Sequence, residues 1–128
     1  MKHINWKTLM KRSEHDLQSV QDIIQGFLDA TPDRIRSLEE AIQLEHAYSV
    51  EHAAHAIKGS VQPYGAWQIV AKASEIESMG GRGELDEAES CMSELRYLLD
   101  ELYDDLWYVL DKKVSIKPES RPVDLEVK

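Results

Sequence analysis

Apolar residues recur every three or four positions over a long stretch near the C-terminal end of the chain. This spacing places them on one side of an α-helix, whereas a half-buried strand would alternate apolar and polar residues. The series that predicts this long helix is Leu85, Ala88, Met92, Leu95, Leu99, Leu102, Leu106 and Val109. A helix with one apolar stripe needs other helices to cover that stripe, and the rest of the chain has to supply them.

Five earlier segments show the same periodicity, and strand-like alternation is nearly absent. Helix ends are predicted from capping residues, prolines and glycines. We predict helix caps at Asn5, at Ser13 with Asp16, and at Ser49. We also predict a helix start at Thr31-Pro32, a turn at Pro63-Tyr64-Gly65, and a helix end at Gly80-Gly81. Short connections favour antiparallel neighbours, so the expected fold is all-α: an up-and-down antiparallel four-helix bundle with additional N-terminal or flanking helices.

The length of 128 residues suits one domain. We expect a helical-bundle domain over residues 1–112 and a flexible tail over 113–128, where Ser, Pro, Lys and Glu follow no period. A net charge of −9 argues against a nucleic-acid partner. No apolar run reaches membrane-spanning length, and the first residues lack the long apolar stretch of a signal peptide, so a membrane partner is not expected either. The single cysteine, Cys91, excludes an internal disulfide and indicates a cytoplasmic protein.

The helix predicted around residue 55 presents a histidine away from the core. Its apolar face consists of Val50, Ala54, Ile57 and Val61. Since an α-helix turns about 100° per residue, His55 lies roughly 130° from the middle of that face. The stripe that contains His55 is polar, with Tyr48, Glu51, His52, Lys58, Gly59 and Gln62. His55 is therefore predicted to be accessible to a partner.

The residues one and two turns after His55 suit a phosphoryl group on its ring. Lys58, at i+3, brings a flexible positive charge within reach of phosphoryl oxygens. Gly59 costs about 1 kcal/mol relative to alanine inside a helix, and open space for an approaching protein would offset that cost. Gln62 lies on the same side and has an amide that can donate a hydrogen bond. Ser60 is expected either to return its hydroxyl to a helix carbonyl or to fill a tight spot beside the next helix.

Neutral imidazole is a nucleophile near neutral pH, and phosphoryl transfer depends mainly on positioning and charge neutralisation. The sequence has no glycine-rich phosphate loop. It also has no cluster of carboxylates suited to Mg²⁺, so that ion is expected from the partner and no cofactor from this chain. These features predict a phosphocarrier with a phosphohistidine intermediate rather than a kinase.

The segment His55-Ala56-Ile57-Lys58-Gly59-Ser60, followed by Gly65-Ala66, resembles the motif of the Hpt (histidine-containing phosphotransfer) domain family. The resemblance implies a helical bundle that passes phosphoryl groups between receiver-domain aspartates in a two-component phosphorelay. It also implies that His55 is the phosphoacceptor, that Lys58 stabilises the phosphoryl group, and that Gly59 belongs to the face on which the receiver docks. We assign Gln62 to the same face.

Two positions depart from the family pattern. Val61 replaces a residue that is often small, and it is expected in the core. Glu77 stands where some relatives carry a glutamine that faces the histidine. A carboxylate there would repel a phosphoryl group unless it turned away, so Glu77 is not counted among the site residues.

Two other functions remain open from the sequence. His46, His52 and His55, with Glu45 or Glu51, could form a metal-binding bundle, although a lysine next to a cation site is unfavourable. The polar face could also serve a pure protein-interaction module without chemistry. Within the phosphotransfer interpretation, Met1 and the tail favour a free-standing protein over a piece of a hybrid or chemotaxis-type kinase.

Overall fold

The computed structural model describes residues 2–112 and is all-helical over that range. The α-helices are α1 (Trp6–Arg12), α2 (Leu17–Gln43), α3 (Ala47–Val61), α4 (Trp67–Arg82) and α5 (Ala88–Lys112), and a 3₁₀ turn (Gln62–Tyr64) follows α3. The predicted all-α fold class is confirmed. The predicted tail at 113–128 lies outside the described residues. Among residues 2–112, no helix combines the length and the apolarity that crossing a membrane requires.

Helices α2 to α5 form the four-helix bundle, and each packs against two others. Helix α3 contacts α2 and α4, α4 contacts α5, and α5 returns to α2, as expected for an up-and-down antiparallel bundle. α1 lies outside the bundle and packs against the 3₁₀ turn. Fully burying one large apolar side chain contributes about 1.5–3 kcal/mol. Fully buried examples are Ile24 and Leu38 of α2, Ile57 and Val61 of α3, Ile69 and Ile76 of α4, and Leu99 and Leu102 of α5.

The helix start predicted at Thr31-Pro32 is wrong, because both residues lie inside the 27-residue helix α2. A proline within a helix cannot donate to the carbonyl four residues earlier, which here belongs to Leu28. The hydroxyl of Tyr103 on α5 donates to that carbonyl at 3.3 Å. The Thr31 hydroxyl donates to the Phe27 carbonyl at 2.5 Å instead of capping a new helix. A neighbouring helix therefore satisfies the backbone group that Pro32 leaves without a partner.

Other predicted helix ends also differ from the observed ones. α3 begins at Ala47, two residues before Ser49, because the ring of His46 accepts from the Ser49 backbone at 3.3 Å. α4 continues through Gly80-Gly81 and ends at Gly83, which has a left-handed backbone. α5 begins at Ala88 rather than near Leu85. The cap at Asn5 occurs as predicted. The helix start predicted at Ser13 is wrong, because Ser13 ends α1 and Asp16 itself caps α2.

The connection between α3 and α4 fixes the C-terminal end of α3. Gly65 has φ of 63°, a conformation that favours glycine, and a Cβ there would lie 2.6 Å from the Cβ of Asn5. The buried Tyr64 packs edge-on against Phe27 at 5.3 Å, and its hydroxyl donates to the Ile23 carbonyl at 3.1 Å. These contacts tie the turn both to the segment before α1 and to α2.

Candidate functional site

Helix α3 is amphipathic, and its polar side is exposed as predicted. Val50, Ala54, Ile57 and Val61 are buried against the bundle. The side chain of His55 is 66% exposed. Its imidazole is thus presented to solvent while the helix that carries it is anchored by four buried residues.

Glu77 of α4 contacts both His55 and Lys58. One carboxylate oxygen, Oε2, lies 2.8 Å from His55 Nδ1, and Oε1 accepts from Lys58 Nζ at 2.6 Å. The side chains of Lys58 and Glu77 are only 23% and 22% exposed. A half-buried ion pair therefore supports one edge of an exposed ring.

The contact with Glu77 determines which tautomer the neutral His55 ring adopts. An ionised carboxylate can only accept hydrogen bonds, so the proton of neutral His55 is on Nδ1. The lone pair is then on Nε2, which has no hydrogen-bond partner among the described residues. Nε2 is consequently the ring nitrogen that is left available to a partner.

Glu77 stays ionised because its surroundings favour the charged form. The hydrogen bond from the Lys58 ammonium, together with the one from His55, holds the pKa of this carboxyl below its ordinary value, against a smaller opposing effect of burial. One positive and one negative charge lie beside the His55 ring. The charges of Lys58 and Glu77 therefore largely offset each other there.

Gly59 and Gln62 lie on the same side of α3 as His55. A Cβ placed on Gly59 would meet nothing within 4 Å, so packing among residues 2–112 does not explain this glycine. Gln62 begins the 3₁₀ turn and is half-buried. It is about 10 Å from His55 along the helix axis, at 1.5 Å per residue, which suits contact with a partner better than contact with a phosphoryl group.

Other parts of the predicted motif have structural roles. The Ser60 hydroxyl donates to the Ile57 carbonyl at 2.8 Å, as expected. Gly65 has the left-handed backbone of the turn, and Ala66 is buried. Val61 is fully buried, as predicted. The motif thus combines two exposed residues, His55 and Gly59, with buried residues that anchor α3 and connect it to α4.

The structure does not bring together the residues named for a metal site. Within residues 2–112, no group of three His, Cys, Asp or Glu side chains is arranged to hold a metal ion. The Nδ1 atom of His46 is occupied by the Ser49 hydroxyl at 2.8 Å. The ring of His52 instead contacts the ring of Tyr48 in a tilted arrangement.

Glu77 is the residue that sequence reasoning left out of the site. It is 22 positions from His55, and its place opposite the histidine was recognised only through the family resemblance. Its charge suggested repulsion from a phosphoryl group. The geometry shows that both of its oxygens are instead occupied by His55 and Lys58.

Comparisons with known proteins agree with this fold and motif. The family model described as the Hpt domain matches residues 22–105. The crystal structure of histidine-containing phosphotransfer protein B (HptB) from Pseudomonas aeruginosa PAO1 superposes with a TM-score of 0.80 at 23% identity, covering 86% of this chain and 96% of that one. No curated protein matches the chain. Since the matched region includes α3, α4 and the whole His55 motif, this chain belongs to the Hpt domain family.

Proposed function

We propose that this chain is a cytoplasmic histidine phosphotransfer protein that relays a phosphoryl group between receiver-domain aspartates. The observation that carries the proposal is the exposed His55 ring, whose Nδ1 edge is held by Glu77 while Nε2 faces solvent. Membership of the Hpt domain family supports the same function.

The transfer is a direct displacement at phosphorus. The Nε2 lone pair attacks the phosphoryl group of a receiver aspartyl phosphate, an N–P bond forms, the acyl O–P bond breaks, and the aspartate leaves as a carboxylate. The proton on Nδ1 stays in place, so the product ring is a cation. Glu77 is adjacent to that proton and balances the new charge. The acceptor receiver reverses these steps with its own carboxylate.

Lys58 stabilises the phosphoryl oxygens during this exchange. Its ammonium lies against Glu77, one helical turn from His55. An ammonium has three donors, so it can keep one hydrogen bond to Glu77 and give others to the phosphoryl group. Glu77 thereby positions both the nucleophile and the stabilising cation.

Gly59 and Gln62 form part of the receiver-docking face. The open space over Gly59 admits another protein's backbone next to His55. Any Mg²⁺ required for the reaction is expected to come with the receiver, as part of its own aspartate site.

The proposal is tested by exposing the protein to phosphoramidate, a small donor that needs no docking surface. We expect one acid-labile, base-stable mass gain of a phosphoryl group in the wild type and none in His55→Gln. Lys58→Ala should accept the group several-fold more slowly, because phosphoryl charge loses its neutralising partner.

A matched control is His52→Gln, which removes another exposed histidine of the same helix. This variant should take up phosphate like the wild type. A wild-type protein that takes up no phosphoryl group from this donor or from a phosphorylated receiver would favour a pure interaction module. Undiminished uptake by His55→Gln would disprove the assignment of the phosphoacceptor.

A further inference from the structure

Five residues of α3 and the turn after it form a continuous outward stripe, which we call the α3 stripe: Tyr48, His52, His55, Gly59 and Gln62. They are spaced by three or four positions, so they follow one side of the helix. Tyr48 is 67% exposed, although it is a large aromatic residue. Its ring contacts the ring of His52, the next residue of the stripe.

The Tyr48 ring is held in place without being buried. Its centroid lies 4.1 Å from that of His52, with the two rings tilted by 54°. A side chain that is already ordered loses little conformational entropy when a partner covers it. Tyrosine is also among the residues that contribute most to binding at protein interfaces. The pair has the properties of a preformed contact point.

The position of Tyr48 relative to His55 determines which partner covers it. Seven residues of helix separate them by about 10 Å along the axis. A stable interface covers about 800 Å² on each protein, which corresponds to a round patch about 16 Å in radius. A receiver whose aspartyl phosphate reaches His55 Nε2 therefore also covers Tyr48.

Charge along the α3 stripe fits the same partner. The chain has a net charge of −9, yet none of the five stripe residues is acidic. The reacting group of a receiver is a carboxylate, and an acidic surface next to it would repel an acidic stripe. The neighbouring Glu51 is half-buried near Gly81 of α4, where a glycine Cβ would lie 3.2 Å from its carboxylate oxygen.

We propose that the Tyr48–His52 pair anchors the receiver domain, as the apolar half of a docking surface whose reactive half is His55 and Gly59. This inference rests on the proposed phosphotransfer function. The partner is a receiver with apolar side chains located about 10 Å from its phosphorylated aspartate, a distance set by the helix rise between the two halves. Gln62, at the opposite end of the stripe, offers only a polar contact.

The test compares Tyr48→Ala with Tyr97→Ala, a control on α5 whose tyrosine is similarly exposed at 65%. Each protein is first phosphorylated with phosphoramidate. It is then mixed with the receiver domain that exchanges phosphoryl groups fastest with the wild type, chosen from receivers of the same genome. Second-order transfer rates are measured at increasing receiver concentration.

We expect Tyr48→Ala to lower the second-order transfer rate by about tenfold or more, which is typical of losing a main interface contact. Uptake from phosphoramidate and transfer at saturating receiver should stay within about twofold of the wild type, because neither requires tight docking. Tyr97→Ala should leave all three quantities unchanged. Tyr48→Phe, which keeps the ring, should retain most of the wild-type rate.

Equal transfer rates for the Tyr48→Ala and Tyr97→Ala proteins would overturn the anchoring role while leaving phosphotransfer intact. A fall in phosphoramidate uptake by Tyr48→Ala that matches its fall in receiver transfer would also overturn it, because the defect would then lie in His55 itself. A wild type that takes up no phosphate would remove the proposed function and this inference together.

Discussion

Gly59 and Gly80 lie at two different surfaces of α3, and they show two physical reasons for a glycine inside a helix. Gly80, on α4, lies against the backbone of α3: a Cβ there would be 2.5 Å from the Glu51 nitrogen and 2.8 Å from the Ala47 carbonyl oxygen. Gly59, on α3 itself, would place a Cβ in open space. The first glycine allows two helices of one chain to approach closely. The second leaves the same approach available to another protein.

The two surfaces meet at the site. Glu77 is three residues before Gly80 on α4, and it reaches His55 and Lys58 of α3. The close approach of α3 and α4 is what brings a carboxylate from one helix to the imidazole of the other. The packed side of α3 therefore positions the chemistry that the open side presents.

Replacing Gly80 with alanine should have the largest effect on stability. Backbone atoms of α3 cannot move aside as a flexible side chain can, so overpacking should cost about 3 kcal/mol. The better helix propensity of alanine offsets about 1 kcal/mol of this cost. We expect the free energy of unfolding, measured in urea, to fall by about 2 kcal/mol.

Gly81→Ala is the matched control for that measurement. Its Cβ would meet only the end of the Glu51 side chain, at 3.2 Å. This variant should unfold at or above the wild-type urea concentration, because a side-chain end can shift. Equal losses of unfolding free energy in the two variants would show that the close backbone approach at Gly80 is not the reason why this position requires glycine.

The same substitution at Gly59 should change stability in the opposite direction. Because a Cβ there meets no atom of residues 2–112 within 4 Å, alanine should raise the free energy of unfolding by about 1 kcal/mol. A larger residue, as in Gly59→Leu, should slow phosphoryl transfer to a receiver by about tenfold or more while phosphoramidate uptake stays unchanged. A stabilised Gly59→Leu protein with normal receiver transfer would contradict the docking role of this position.

Much of the fold follows from the sequence because the bundle depends on periodic apolar residues. The faces of α3 and α5 were predicted from spacing alone, and the exposure of His55 followed from the same geometry. Pro32 shows where local reasoning fails. The carbonyl that this proline leaves free is satisfied by Tyr103, 75 positions from Leu28 along the chain, so only the packed structure reveals that the helix continues.

The site was predicted less completely than the fold for a related reason. His55, Lys58, Gly59 and Gln62 share one helical segment, so their relative placement can be calculated from the helix repeat. Glu77 belongs to another helix, and the way its two oxygens divide between His55 and Lys58 depends on how closely α3 and α4 pack. Gly80-Gly81 was interpreted as a helix end, since a sequence does not distinguish a terminating glycine from one at a helix crossing.

Glu77→Gln should have a smaller effect on stability, and that effect should depend on pH. The pKa of Glu77 in the folded protein is below its ordinary value of 4.5 because Lys58 and His55 donate to it. The ionised carboxylate therefore stabilises the fold at pH above about 4.5, and this contribution disappears as pH falls through the lower folded-state value. Because this ion pair is half-buried, we expect the free energy of unfolding at pH 7 to be about 1 kcal/mol higher for the wild type than for Glu77→Gln.

Urea unfolding at several pH values checks this expectation. It also tests whether Glu77 of α4 stabilises the protein through its contact with Lys58 of α3. The difference between wild type and Glu77→Gln should narrow steadily below pH 4.5, the ordinary value for this carboxyl. In a Lys58→Met background the difference should already be smaller at pH 7, because the main donor to Glu77 is missing. Glu77 would act through packing alone if the difference in unfolding free energy stayed constant from neutral to acid pH. The same conclusion would follow if that difference were unchanged in the Lys58→Met background. Helix α4 would then position the imidazole by shape, and the charge of its carboxylate would add nothing to the fold.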